Sequence, residues 1–252
     1  VLFADIRGFT TMSEGYKDKP EELTVLLNDL LTPLTHEIMD QKGTIDKYMG
    51  DAIMAFWNAP VDVPNHPRIA CEAAIKMMIA LEVLNRDLIG SGRITEPLKI
   101  GIGLNTGEVT VGNLGSEQRF DYSCLGDAIN LGSRLEGLSK AYGVPIVIGE
   151  STHDVLDQPP SDAEVVLLDH VIVKGKSIPV AIYGIIPHKH FLTDWCADHN
   201  ELMAFIERDA WDDVEIVLNR LRKSESYPGE LLDQAVYRAE NKISEVRQMT
   251  TK

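Results

Sequence analysis

Four polar residues in this sequence are of the right types to work on a phosphate: Asp5, Asp51, Asn130 and Arg134. Asp5 directly follows the apolar run Val1 to Ala4, so its carboxylate stands at the end of a buried strand. The turn after it holds Gly8 and has backbone amides free to face phosphate oxygens. Asp51 sits in a Gly50-Asp51 hairpin tip. Two carboxylates on adjacent strands could bridge a pair of Mg²⁺ ions about 3.5 to 4 Å apart, the arrangement that in-line phosphoryl chemistry uses to activate an attacking hydroxyl and stabilise the departing group. Asn130 and Arg134 are four apart and share one helix face. There an arginine fork suits a crowded phosphate and an asparagine can orient a ribose oxygen. Taken singly each residue has a plainer reading: a strand-ending aspartate, a turn residue, a solvated helix face. Their pairing is what points to chemistry.

The elements that must hold them are legible from periodicity. Pro20, Glu21 and Glu22 open a helix, with proline in the first turn and acids at the positive dipole end. Leu23, Leu26, Leu30, Leu34 and Ile38 give it one apolar face up to Gly43, with a kink expected at Pro33. Strands over 44–48 and 52–57 form a hairpin around Gly50-Asp51, where glycine supplies the positive φ of the turn. A second amphipathic helix starts at Asn65 and Pro67. The alternation over 98–104 and 108–111 reads as another hairpin across Asn105-Thr106-Gly107. A strand over 120–125, a helix over 127–140, a strand over 144–148, a short helix over 151–156 and a last strand pair over 165–173 and 178–186 follow. Helices interleave with hairpins, so the fold class is α+β, a mixed sheet with helices on one side rather than a doubly wound parallel sheet. Gly101 and Gly103 lie within a strand and mark close packing, not a dinucleotide loop.

From about Pro187 the sequence is helical only, in three amphipathic stretches broken at Asp209 and at Pro228-Gly229. The chain therefore divides into residues 1–187 and a helical tail over 188–252 that resembles tetratricopeptide-like hairpins but holds fewer than three units. The 252 residues carry 24 Lys+Arg against 39 Asp+Glu, a formal charge of −15. That balance disfavours nucleic acid as a partner but suits cation-masked phosphates. Cys71, Cys124 and Cys196 are few and odd in number, as expected of a reducing compartment such as the cytoplasm. No apolar run approaches a bilayer span, and the first residue is Val1 inside a strand, so a sensor or membrane anchor is expected to lie outside this chain.

Phe3-Ala4-Asp5-Ile6-Arg7-Gly8-Phe9-Thr10, Lys47-Tyr48-Met49-Gly50-Asp51, Gly126 to Arg134 (GDAINLGSR) and Val173-Lys174-Gly175-Lys176 together resemble, in order, the motifs of class III adenylyl and guanylyl cyclases. The likeness implies that family's ferredoxin-like mixed sheet and a reaction converting ATP to cyclic AMP and pyrophosphate. It implies two Mg²⁺ (or Mn²⁺) ions held by Asp5, Asp51 and the Ile6 carbonyl, with Gly8, Phe9 and Thr10 along the triphosphate. Asn130 and Arg134 fall on the transition-state pair, and Lys174 on the lysine of the terminal phosphates. Lys47 and Ser123 fall on the base-selecting positions. Lysine donates to adenine N1, where guanylyl cyclases carry glutamate, so Lys47 favours ATP. The Ser123 hydroxyl can accept from adenine N6 or donate to guanine O6, so it does not choose by itself. Asp121, two residues earlier on the same strand face, is an alternative acceptor. Because one chain carries both half-sets, the resemblance implies a homodimer with composite sites. A guanylyl cyclase and a catalytically silent dimerisation module are the competing readings.

Overall fold

The computed structural model describes residues 1–172, 179–188 and 193–250, with side chains as far as residue 242. Strand β1 (Leu2–Ile6) is the hub of a seven-stranded sheet. It is flanked on both sides by antiparallel partners, β3 (Ala52–Phe56) and β4 (Ile100–Leu104). β2 (Thr44–Met49) closes the hairpin with β3 and forms one edge. Beyond β4 come β7 (Ile146–Gly149), parallel to it, then β9 (Val180–Pro187) and the edge strand β8 (Ala163–Val171), so the order is β2-β3-β1-β4-β7-β9-β8.

The period-2 alternation along β1 divides the core between the two faces. Leu2, Ala4 and Ile6 pack with α2 (Pro20–Asp40) and α3 (His66–Gly90). Phe3 points the other way, toward Met54, Phe56 and Cys124. On that second face lies α4 (Asp127–Ala141), and helices therefore cover both sides of the sheet, not one. α4 can sit close because β4 offers it glycine. A Cβ on Gly103 would stand 2.2 Å from the Glu136 backbone nitrogen, and one on Gly101 would stand 2.2 Å from Ser139 Oγ.

Other expectations meet corrections. The hairpin expected across Asn105-Thr106-Gly107 does not form, because both edges of β4 are already taken by β1 and β7. β5 (Thr110–Ser116) instead pairs in full register with β6 (Arg119–Leu125), a separate two-stranded ribbon turning at residues 117–118. The segment after β1 contains the short helix α1 (Phe9–Glu14), which the sequence pattern did not mark. α2 runs on through Pro33 as one helix. The short helix α5 (Glu150–His153) is briefer than the pattern suggested, and the facing ends of the last strand pair, from Val173 to Ile178, lie outside the described residues.

The tail forms α6 (Cys196–Glu207), α7 (Trp211–Leu221) and α8 (Gly229–Thr250). These pack on the α4 side, in one apolar cluster that joins Leu131 and Leu135 of α4 to Val166, Leu202, Val217 and Leu231. At its centre His199 is fully buried, with its Nδ1 2.7 Å from the Tyr227 hydroxyl and its Nε2 2.7 Å from the Leu167 carbonyl.

Candidate active site

Asp5 and Asp51 converge. β1 ends at Ile6, and Gly50 takes the positive φ (69°) that turns β2 into β3, which carries Asp51 alongside the end of β1. The two carboxyl groups are hydrogen-bonded to each other, and the Ile6 amide donates to Asp5 Oδ1 at 3.0 Å and also bonds Asp51. Burial first, then the hydrogen bond and the negative charge of Asp5, push the Asp51 carboxyl up to about 6, partly opposed by backbone donors at Asp51 and Ile6. Crowding two acids in this way is unfavourable without a cation between them. The donor set is all oxygen, as Mg²⁺ and Mn²⁺ require, so the residues fit the ions the sequence implies. Among the described residues no three His, Cys, Asp or Glu side chains gather as a metal cluster, and the pair with the Ile6 carbonyl would be the protein's share of the coordination.

A third acid faces the pair, and nothing in the sequence singles it out. Glu136 of α4 is pushed up to about 7 by burial and by Asp5, against the pull of Arg7, with a further push from Asp51. Arg7 bonds Ser139 Oγ at 3.2 Å and the Val144 carbonyl at 2.7 Å, and thereby ties the end of β1 to the far end of α4.

Asn130 and Arg134 lie on the opposite side of that helix. At 100° per residue the buried Leu131, Gly132, Leu135 and Ser139 define the inward face, and Asn130 and Arg134 project outward and exposed. Gly8 caps α1 in the left-handed region (φ 73°) and is exposed, as is Thr10. The Phe9 side chain is partly buried and packs against the core cluster that holds α2 and α3. Lys174 lies outside the described residues.

Lys47 and Ser123, the positions that the resemblance assigns to base selection, are neighbours through a residue that sequence reasoning missed. Asp46, whose side chain is wholly buried, accepts from the Ser123 hydroxyl at 2.6 Å and stands 3.2 Å from the Lys47 ammonium. Its position follows from a bulge: Ile45 pairs with Ala55 and Lys47 with Met54, so Asp46 is the extra residue. Asp121 is exposed, pairs with Leu114 on the outer part of the ribbon, and takes no part in this cluster. Around the cluster Tyr48, Met49, Phe120 and Leu125 expose large apolar surface, with Tyr122 6.0 Å from the Phe56 ring.

Residues 1–187 match the family described as the adenylate and guanylate cyclase catalytic domain. An adenylate cyclase of Anabaena cylindrica is 39% identical over 187 residues, which is 73% of this chain and 36% of that protein. Adenylate cyclase 1 of Rhizobium meliloti is 32% identical over 190 residues, 27% of its length. The chain thus spans about a third or less of these relatives. Among solved structures, the guanylyl cyclase Cya2 superposes with a TM-score of 0.64 at 34% identity, covering 76% of this chain and 93% of that one. The adenylyl cyclase CyaB from P. aeruginosa gives 0.65 at 35% identity, covering 73% and 91%.

Proposed function

Since the chain belongs to the adenylate and guanylate cyclase catalytic-domain family, we propose that it converts ATP to 3′,5′-cyclic AMP and pyrophosphate in a homodimer with two composite sites. Relatives of both base specificities share its fold at nearly equal similarity, so the choice of ATP rests on Lys47, not on the fold.

Asp5, Asp51 and the Ile6 carbonyl would hold two divalent ions, Mg²⁺ or Mn²⁺. Bound there, the ions lower the pKa of the ribose 3′-hydroxyl and neutralise charge on the α-phosphate and the pyrophosphate. The backbone from Gly8 to Thr10 lines the triphosphate and Lys174 meets its terminal phosphates. Asn130 orients the ribose, and Arg134 takes the charge that grows on the α-phosphate as the 3′-oxygen bonds to phosphorus and the bond to the leaving pyrophosphate breaks.

The observation that carries the composite site is the two-sidedness of α4. Its inward Glu136 faces the chain's own Asp5 and Asp51, whereas Asn130 and Arg134 point away from them. A second copy related by a twofold axis would complete each site. The exposed apolar residues beside Lys47 and Ser123 suit the contact between copies. The three cysteines are free and buried, which supports a reducing, cytoplasmic setting, and no described helix is long and apolar enough to cross a membrane.

The test is to incubate the chain with ATP and GTP in parallel, with Mg²⁺ or Mn²⁺, and identify the product. Cyclic AMP from ATP is expected. Cyclic GMP as the main product would overturn the base assignment, and no cyclic product from either would favour the silent dimerisation module.

A further inference from the structure

We infer that Asp46 is a specificity-determining residue: its buried carboxylate consumes the Ser123 proton and anchors the Lys47 ammonium, so that the pair presents an acceptor and a donor matched to adenine and mismatched to guanine. The inference rests on the proposed nucleotide site and names what sets its base choice.

A serine hydroxyl has one proton and two lone pairs, so its polarity is fixed by whichever partner takes the proton. Here that partner is inside the protein. Ser123, 5% exposed, donates to Asp46 Oδ2 at 2.6 Å. The same oxygen also faces the Cys124 amide at 3.3 Å and the Cys124 thiol at 3.8 Å. The other oxygen, Oδ1, is buried, has no hydrogen bond, and lies 3.2 Å from Lys47 Nζ. Every neighbour of the carboxylate is a donor, so Asp46 is the acceptor throughout. Ser123 then has only lone pairs left for a ligand. Lys47, on a side chain 40% exposed, has only protons to offer.

The adenine edge presents an N6 amino donor beside the N1 acceptor, and the guanine edge presents the O6 acceptor beside an N1–H donor. An acceptor at Ser123 and a donor at Lys47 complement the first and oppose the second at both positions. The ambiguity of a hydroxyl at position 123 is thus removed by a residue 77 positions away in sequence. The bulge at Asp46 makes this possible, because it inserts the carboxylate between strand partners without displacing Lys47 from its place opposite Met54.

The experiment measures kcat/KM for ATP and for GTP with the full chain and with Asp46→Ala and Ser123→Ala. The intact chain prefers ATP. In Asp46→Ala the Ser123 hydroxyl is free to rotate and donate to O6, and the ATP/GTP ratio falls about tenfold or more, the scale of one reversed buried hydrogen bond. A merely structural role would lower both substrates together, so an unchanged ratio overturns the inference while leaving ATP as substrate. Should Asp46→Ala not fold, Ser123→Ala decides. Loss of an acceptor lowers kcat/KM for ATP and not for GTP, whereas an equal loss for GTP shows that the hydroxyl was donating and overturns the inference. A preference of the intact chain for GTP overturns this inference and the ATP assignment together.

Discussion

Gly103 and Glu136 meet backbone to backbone: a single methyl group on the glycine would stand 2.2 Å from the helix nitrogen. This contact seats α4 on β4 and fixes where its inward and outward residues point. Gly103→Ala must push the helix off the sheet. It is expected to cost about 1 to 3 kcal/mol, as overpacking does, and to lower cyclase activity more than that loss of stability explains. Urea denaturation alongside turnover of the folded fraction checks both parts.

Asp51→Ala removes half of the acidic pair. Cyclase activity should fall at least on the order of 100-fold, the scale on which loss of a preorganised charge-stabilising group is felt. Stability should hold or rise, because Asp5 and Asp51 oppose each other when no cation is present. A thermal melt without metal that shows a clear loss of stability would mean that the pair serves the fold, not the reaction. Chelation of divalent ions should abolish turnover of the intact chain.

Two inactive variants should rescue one another. Asp51→Ala spoils the metal side of a site and Arg134→Ala the outward face of α4. A mixed dimer retains one whole site of its two, and random pairing makes half the dimers mixed. Equal mixing should therefore recover about one-quarter of the activity of the intact protein. Absence of recovery, with subunit exchange demonstrated by mass, would place both half-sites within one chain.

His199 supplies a pH dependence that has nothing to do with turnover. Burial lowers its pKa from 6.5 to about 4, partly opposed by the hydrogen bond to the Leu167 carbonyl, so the ring is neutral where it sits between that carbonyl and the Tyr227 hydroxyl. A depressed histidine binds its proton more readily in the unfolded chain. Stability is therefore intact above pH 6.5, falls as pH drops from about 6.5 to about 4, and levels off below, a loss of about 3 kcal/mol over the window. Denaturant midpoints across that range should show the slope, and His199→Gln should remove its share.

Much of this was legible before any coordinates. Asp5, Asp51, Asn130 and Arg134 stand out only once they are paired and read within their ordered motifs, whereas the helices over 20–40 and 127–141 show in their apolar stripes. The β5–β6 ribbon was not, because alternation says that a segment is a strand but not which strand it joins, and β4 had already filled both its edges. Glu136 escaped notice because helical periodicity says which residues share a side of α4 but not which strand residues that side meets. Only the seating of α4 shows that it turns inward. Asp46 was hidden by its bulge: strict alternation assigns residues 46 and 47 to opposite faces, and an inserted residue leaves no mark on composition or period.

The shared apolar cluster of α4 and the C-terminal helices has a consequence for exchange with solvent. Leu131 and Leu135 belong to the same apolar cluster as Leu202, Val217 and Leu231. Any opening that lifts α6 and α7 away removes part of the apolar cluster that they share with the helix carrying Asn130 and Arg134, while β4 still backs that helix. Amide deuteration along α4 should accordingly rise and fall with the protection of α7, so that the middle of the chain and its C-terminal helices breathe as one unit.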